Sequence, residues 1–183
     1  MASTTNIEPM PDDLIHEPLE WLFAEHYRHR QLWGVIERIA ASTVLLREEV
    51  AEVLNFLRLD LPLHMIDEEE DLFPLLRRRC EPADEVEKVL GVLSLEHSAD
   101  IDAAERVGGH LERALATGVA PGLDPAARKA LTDFVMQEKR HIALENGVVL
   151  PIARLRLEPA DLRTLSRRLA ARRGRVLQDE GRD

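Results

Sequence analysis

The chain has 183 residues, 24 Lys or Arg against 34 Asp or Glu for a net charge of −10, and a single cysteine. That length can bury the core of one domain without disulfides or a structural metal, and the lone Cys80 excludes a disulfide framework, so a reducing compartment is the default. The acidic balance argues against nucleic acid or an anionic membrane as a partner.

Residues 1–15 open with MASTTNIEPMPDD, a polar, acidic, proline-containing stretch that reads as a flexible N-terminal segment. It lacks the basic start and apolar core of a signal peptide, and no apolar run in the chain is long enough to span a bilayer. Cytoplasmic residence is the expectation. A first helix is predicted from Pro18, a favourable first-turn residue, to about Ala41, with Leu19, Leu22, Trp33, Ile36 and Ala40 in an apolar line that also contains His26 and His29. A second covers about Leu45 to Arg79, with Leu54, Leu57, Leu61, His64, Glu68 and Leu75 on one stripe; Pro62 should kink or restart it just before the histidine. A third runs from about Ala83 to Ala116, with Leu90, Leu93, His97, Ala104 and Leu111 inward, and Thr117-Gly118 with Pro121-Gly122 stops it. A fourth spans about Pro125 to Leu157 and shows Leu131, Phe134, Glu138, His141, Glu145, Ile152 and Leu155 inward. Pro159 opens a fifth, Ala160 to about Arg173, which Gly174 ends.

Long helices with short connections predict an all-α fold: an up-down-up-down four-helix bundle over residues 16–157, an additional short C-terminal helix within 158–176, and a tail at 177–183. Each of the four long helices places a histidine in its apolar stripe near mid-length. In an antiparallel bundle those positions meet at one level. Arg163, Arg167, Arg168, Arg172, Arg173 and Arg175 crowd the C-terminus and read as a solvated helix face.

Two eleven-residue segments carry the chemistry. His64–Pro74 reads HMIDEEEDLFP and His141–Pro151 reads HIALENGVVLP. Each has a glutamate four residues after the histidine, hence one turn along the same helix face, and a proline ten residues after it. Two chance copies of that pattern have a probability of roughly one in a thousand from this composition, so a duplicated metal-ligand unit is the reading. Two buried carboxylates without partners would cost several kcal/mol each. Cations would neutralise them while neutral imidazoles fill the other positions. Nitrogen and oxygen ligands without thiolate favour iron, manganese or zinc, and six ligands exceed the need of one tetrahedral zinc.

With Glu25-His26 on the first helix and Glu96-His97 on the third, these segments make the chain resemble the hemerythrin-like (HHE cation-binding) proteins from about Pro18 to Leu157. The resemblance implies two non-haem iron ions held by His26, His64, Glu68, His97, His141 and Glu145, with Glu68 and Glu145 bridging. It implies O2, NO or peroxide as small ligands, and no protein partner is identified by it. The chain departs from the oxygen-carrying hemerythrins, which have a second histidine on the third helix. Here Leu93 and Ile101 stand one turn either side of His97. The set is similar to the more symmetric variant of some hemerythrin-like iron and oxygen sensors.

Other residues keep more than one role open. His29 reads as ligand, outer support or buried histidine. Glu138, three before His141, reads as a partner that orients His141 or as a salt-bridged core glutamate. Glu69, Glu70 and Asp71 form a mostly solvated run in which Glu69 can touch the site's outer layer. Cys80, after three arginines, reads as a small half-buried residue or a thiol of lowered pKa. His16 and His110 read as surface residues. Function is open among a metal-binding or sensing module, a di-iron oxidase or peroxidase, and a metal-free helical interaction protein.

Overall fold

The computed structural model describes residues 6–177. Four long helical rods and a shorter helix make up the fold, and no strand occurs among the described residues. The first rod is α1 (Pro18–Ala41). The second joins α2 (Arg47–Asn55), α3 (Leu61–Ile66) and α4 (Phe73–Arg79) through π-helical turns at Phe56–Asp60 and Asp67–Leu72. The third is α5 (Val86–Thr117), and the fourth joins α6 (Pro125–Leu144) to α7 (Leu150–Arg156) through a π turn at Glu145–Val149. The C-terminal helix is α8 (Pro159–Arg172).

Local chemistry sets these boundaries. Pro18, Pro125 and Pro159 occupy first-turn positions, where a missing N–H costs nothing. Asp124 accepts a hydrogen bond from the Ala126 N–H at 2.9 Å, and Glu158 with Asp161 forms a capping box at the start of α8. Gly118 ends α5 at φ 77°, a conformation that glycine adopts without strain.

The prolines inside the rods explain the π turns. Pro62, Pro74 and Pro151 are each the second residue of the segment after a wide turn. Proline lacks an N–H and its ring collides with the carbonyl four residues back, and one extra residue in the preceding turn moves that carbonyl aside. The expected kink at Pro62 is thus a widened turn, repeated at the other two prolines. The extra residue also rotates the helix beyond it. Leu155, expected inward, is 73% exposed, while Leu150 and Ala153 are buried in its place.

Neighbouring rods pair with residue numbers running in opposite senses. Arg28 meets Asp60 and Arg38 meets Glu49; Arg58 meets Glu112 and Arg77 meets Glu87. Gln137 meets Asp100 and Arg140 meets Glu96; Arg154 meets Glu20 and Lys139 meets Glu37. The apolar core falls into two clusters. One is built around Leu32, Ile36, Leu61, Met65, Val107 and Phe134. The other is built around Trp21, Leu22, Phe73, Leu90, Leu150 and Leu169. On α1 the sequence Leu22, His26, His29, Leu32 passes from the second cluster to the first, so the histidines occupy a layer between two apolar masses.

The C-terminal helix closes the second cluster with Leu165, Leu169 and Ala170. Its arginines correct the reading of a solvated face. Arg173 is 13% and Arg172 19% exposed, and both pair with carboxylates of the bundle. At the other end of α8, buried Asp161 accepts from Arg78 at 2.6 Å and from Arg79 at 2.7 Å. Nor is the N-terminal segment loose where it is described: Ile7 and Ile15 are buried, and the Ile7 N–H donates to Glu52 at 2.9 Å. Residues 1–5 and 178–183 lie outside the described residues. Cys80 is half-buried, and burial followed by Asp84 raises its thiol pKa, because the preceding arginines point to Glu87 and Asp161 instead. No helix is long and apolar enough to cross a membrane among the described residues.

Candidate metal centre

His26, His64, His97 and His141 come from four different rods and are all buried, as are Glu68 and Glu145. They form two overlapping quartets. His26, His64, Glu68 and Glu145 offer atoms that all lie within 4.8 Å of one another, and so do His97, His141, Glu68 and Glu145. Both glutamates belong to both quartets. Each is in or at the start of a π turn, one turn beyond its own histidine.

The inward-facing atoms have no hydrogen-bond partner in the protein. These are the Nε2 atoms of all four histidines and all four carboxylate oxygens of Glu68 and Glu145. Nitrogens and oxygens approach within 2.9–3.9 Å of one another without the alignment that a hydrogen bond needs. Buried polar atoms left in this state cost about 1–3 kcal/mol each, so a set of eight calls for a common partner. Lone pairs of four imidazoles and two carboxylates, gathered at one level, are a donor set suited to a pair of hard or borderline cations.

The outer ring nitrogens are held in a cyclic pattern. His26 Nδ1 is 2.8 Å from Asn146 Oδ1, and His64 Nδ1 is 3.1 Å from Glu25 Oε2. His97 Nδ1 is 2.7 Å from Glu69 Oε1, and His141 Nδ1 is 3.2 Å from Glu96 Oε2. A carboxylate or amide oxygen only accepts, so each imidazole donates from Nδ1, and Nε2 is the inward atom whose lone pair a cation would take. Every one of these partners is the chain neighbour of a quartet residue on an adjacent rod. Successive helical residues point about 100° apart. When one faces the centre, the next can therefore reach across to the neighbouring rod.

This geometry revises several sequence readings. Glu25 and Glu96, read only as the first members of Glu-His pairs, gain a role: they support His64 and His141 on the neighbouring rods. Glu138 meets His29 Nδ1 at 2.9 Å rather than orienting His141. His29 is buried but stands outside both quartets. Glu69 does reach the outer layer, whereas Asp71, in the run read as solvated, is buried, as is nearby Asp67. Sequence reasoning misses Asn146, although its place after Glu145 matches that of Glu69 after Glu68. His16 is exposed, and His110 is half-buried with Asp124 at 4.0 Å.

Electrostatics reflect the crowding. Burial pulls the His64 imidazole down, but Glu68 and Glu25 outweigh it and push it up to about 10. Burial opposes protonation of His141 too, and Glu145 with Glu68 pushes it up to about 10. Glu68 goes the other way: burial raises it, and His64, His26 and His97 hold it well below the usual glutamate range. His29, governed by burial and by repulsion from His64 and His26, is driven well below the usual histidine value. Without a cation, it is the raised pKa of His64 and of His141 that sets positive charge beside the crowded carboxylates.

One edge of the centre lies close to the surface. A cleft of about 400 Å³, lined by Ile66, Glu69, Ser94, Ser98 and Ile101 among others, touches His97 itself.

The family model of the Hemerythrin HHE cation binding domain matches residues 17–153. The chain belongs to the hemerythrin family. The match spans all four rods and both quartets and stops before α8. Cation binding is what this domain is described by, and the quartets are compatible with it. No protein of curated function matches the chain in sequence.

Proposed function

We propose that this hemerythrin-family chain is a non-haem di-iron protein that binds or senses O2, NO, peroxide or iron itself. His26 and His64 would hold one cation and His97 and His141 the other, with Glu68 and Glu145 bridging them, in a core read as an up-down-up-down four-helix bundle. The observation that carries this is the set of eight inward atoms, buried without protein partners and divided into two quartets that share both glutamates. A metal-free interaction protein would leave that set uncompensated. Iron would supply a reducible centre with room for a small ligand beyond its protein donors. The protein's part is to fix the imidazoles through Asn146, Glu25, Glu69 and Glu96, and to keep bulk water from the layer between the two apolar clusters. Zinc suits the same donors less fully, since four protein donors around each cation saturate its tetrahedral geometry and leave it no redox chemistry, whereas manganese takes the same nitrogen and oxygen donors as iron.

The deciding experiment is anaerobic loading with ferrous iron, elemental analysis, and Mössbauer and absorption spectra before and after O2, NO and peroxide. Two iron ions per chain with a spectral response to at least one of the three supports the reading; no bound metal overturns it. A second reading, an oxidase or peroxidase, is favoured by the cleft that reaches His97. It requires turnover with peroxide and a reductant, abolished in His64→Ala and Glu145→Ala.

A further inference from the structure

Three of the four outer supports belong to the site's immediate surroundings, and the fourth is tied to a helix beyond the family domain. Glu25 gives Oε2 to His64 Nδ1 at 3.1 Å and Oε1 to Arg173 Nη2 at 2.8 Å. The same Nη2 donates to Asp67 Oδ2 at 2.7 Å, Nη1 donates to the Leu169 carbonyl at 3.1 Å, and the guanidinium lies over the Trp21 ring at 4.9 Å. Arg173 is therefore held by four contacts and nearly buried. The counterpart at Glu96 is Arg140, which is 71% exposed, and Glu69 accepts from the Ser94 hydroxyl at 3.0 Å. Among the described residues, Glu25 alone of the four supports is paired with a nearly buried cation from another element.

We propose that Arg173 is a positioning residue for the metal centre: through Glu25 it sets the orientation and donor strength of His64, so that α8 controls how tightly the cation of the His26–His64 quartet is held. The inference rests on the di-iron reading and adds to it. A carboxylate with one oxygen held by a charged N–H of a guanidinium that is itself fixed by other contacts keeps its second oxygen in one place, and outer partners of this kind set metal affinity through the ligand they orient. Arg168 supplies an internal comparison. It also ties α8 to the bundle, through Asp71 at 2.7 Å, but touches neither Glu25 nor Asp67.

The test is competitive titration of ferrous iron against a chelator, with Mössbauer spectra and thermal melts, on full-length wild type, Arg173→Gln, Arg173→Lys and Arg168→Gln. Arg173→Gln is expected to weaken one of two iron equivalents by about 10–100-fold and to alter one of two Mössbauer subspectra. Arg173→Lys, which keeps the charge but not the planar fork, shows a smaller loss at the same equivalent. Arg168→Gln lowers the melting temperature and leaves both equivalents at wild-type affinity. If Arg173→Gln does not fold, Arg173→Lys decides alone: loss at one equivalent supports the proposal. Wild-type affinity at both equivalents in the Arg173 variants overturns it, as does an equal loss at both. A wild type that binds no iron instead overturns the di-iron reading, which keeps the two failures apart.

Discussion

The two quartets have the same composition and different surroundings. Around His26 and His64 the supports are Asn146, an uncharged amide, and Glu25, clamped by Arg173 beneath the C-terminal helix. A cleft of about 390 Å³ on that side reaches Glu25 and Arg173 but no quartet histidine. Around His97 and His141 both supports are carboxylates, and the cleft on that side touches His97. On the di-iron reading, one half would hold its cation in a braced cage and the other would meet what diffuses in, so that a duplicated motif would yield two positions of unlike chemistry.

The largest expected effect erases the comparison. Glu145→Ala removes a donor common to both quartets, and elemental analysis should find both metal equivalents lost; retention of either would show that the halves do not share that carboxylate. His64→Ala and His97→Ala, by contrast, should each cost one equivalent, which separates the halves. Removing the metal with a chelator comes next. A bound cation at 100-fold excess over its Kd adds about 2.7 kcal/mol of stability per site, so chelation should lower the melting temperature clearly.

The metal-free protein should then show a pH dependence of its own. Folded His64 and His141 keep their protons to about pH 10 against 6.5 for the ordinary histidine. Their contribution is fully present below about pH 6.5 and is lost as pH rises toward 10. Melts of the chelated protein should fall across that window, with protons released when iron is added; a flat profile would contradict the crowded carboxylates as its cause.

Much of this is legible in the sequence. The four rods emerge from apolar periodicity and proline or glycine punctuation. The six quartet residues stand out because polar side chains recur in apolar stripes, twice with the same spacing to a glutamate and a proline. Which rod a given face meets is not written in one helix, and there the sequence falls silent. Glu25 sits beside His26 in the chain but works for His64, Glu138 serves His29, and Asn146 carries no charge to draw attention. Arg172 and Arg173 read as solvated because their partners Asp67, Asp71 and Glu25 lie about a hundred residues or more away. Leu155 is misplaced because a π turn cannot be seen in a 3.6-residue period.

Two smaller effects sharpen the contrast between the halves. Ser98→Trp places a large side chain over the cleft at His97, and stopped-flow mixing of the iron-loaded protein with NO should show association slowed several-fold at unchanged metal content. Unchanged rates would mean that ligands enter elsewhere. Asn146→Asp gives His26 the carboxylate support that His97 already has from Glu69. Chelator competition should then find one equivalent tightened a few-fold and the other unchanged.

The widened turns ahead of Pro74 and Pro151 have a bearing on how the molecule tolerates change. Each lets its rod slip by one residue, so the downstream stretch takes its angular setting from its own neighbours, Leu76 and Ala153 among them, and not from the histidine upstream. Apolar repacking beyond Pro74 and Pro151 is thereby decoupled from the aim of His64 and His141, which leaves the Arg173–Glu25 contact as the proposed route from the C-terminal helix to His64.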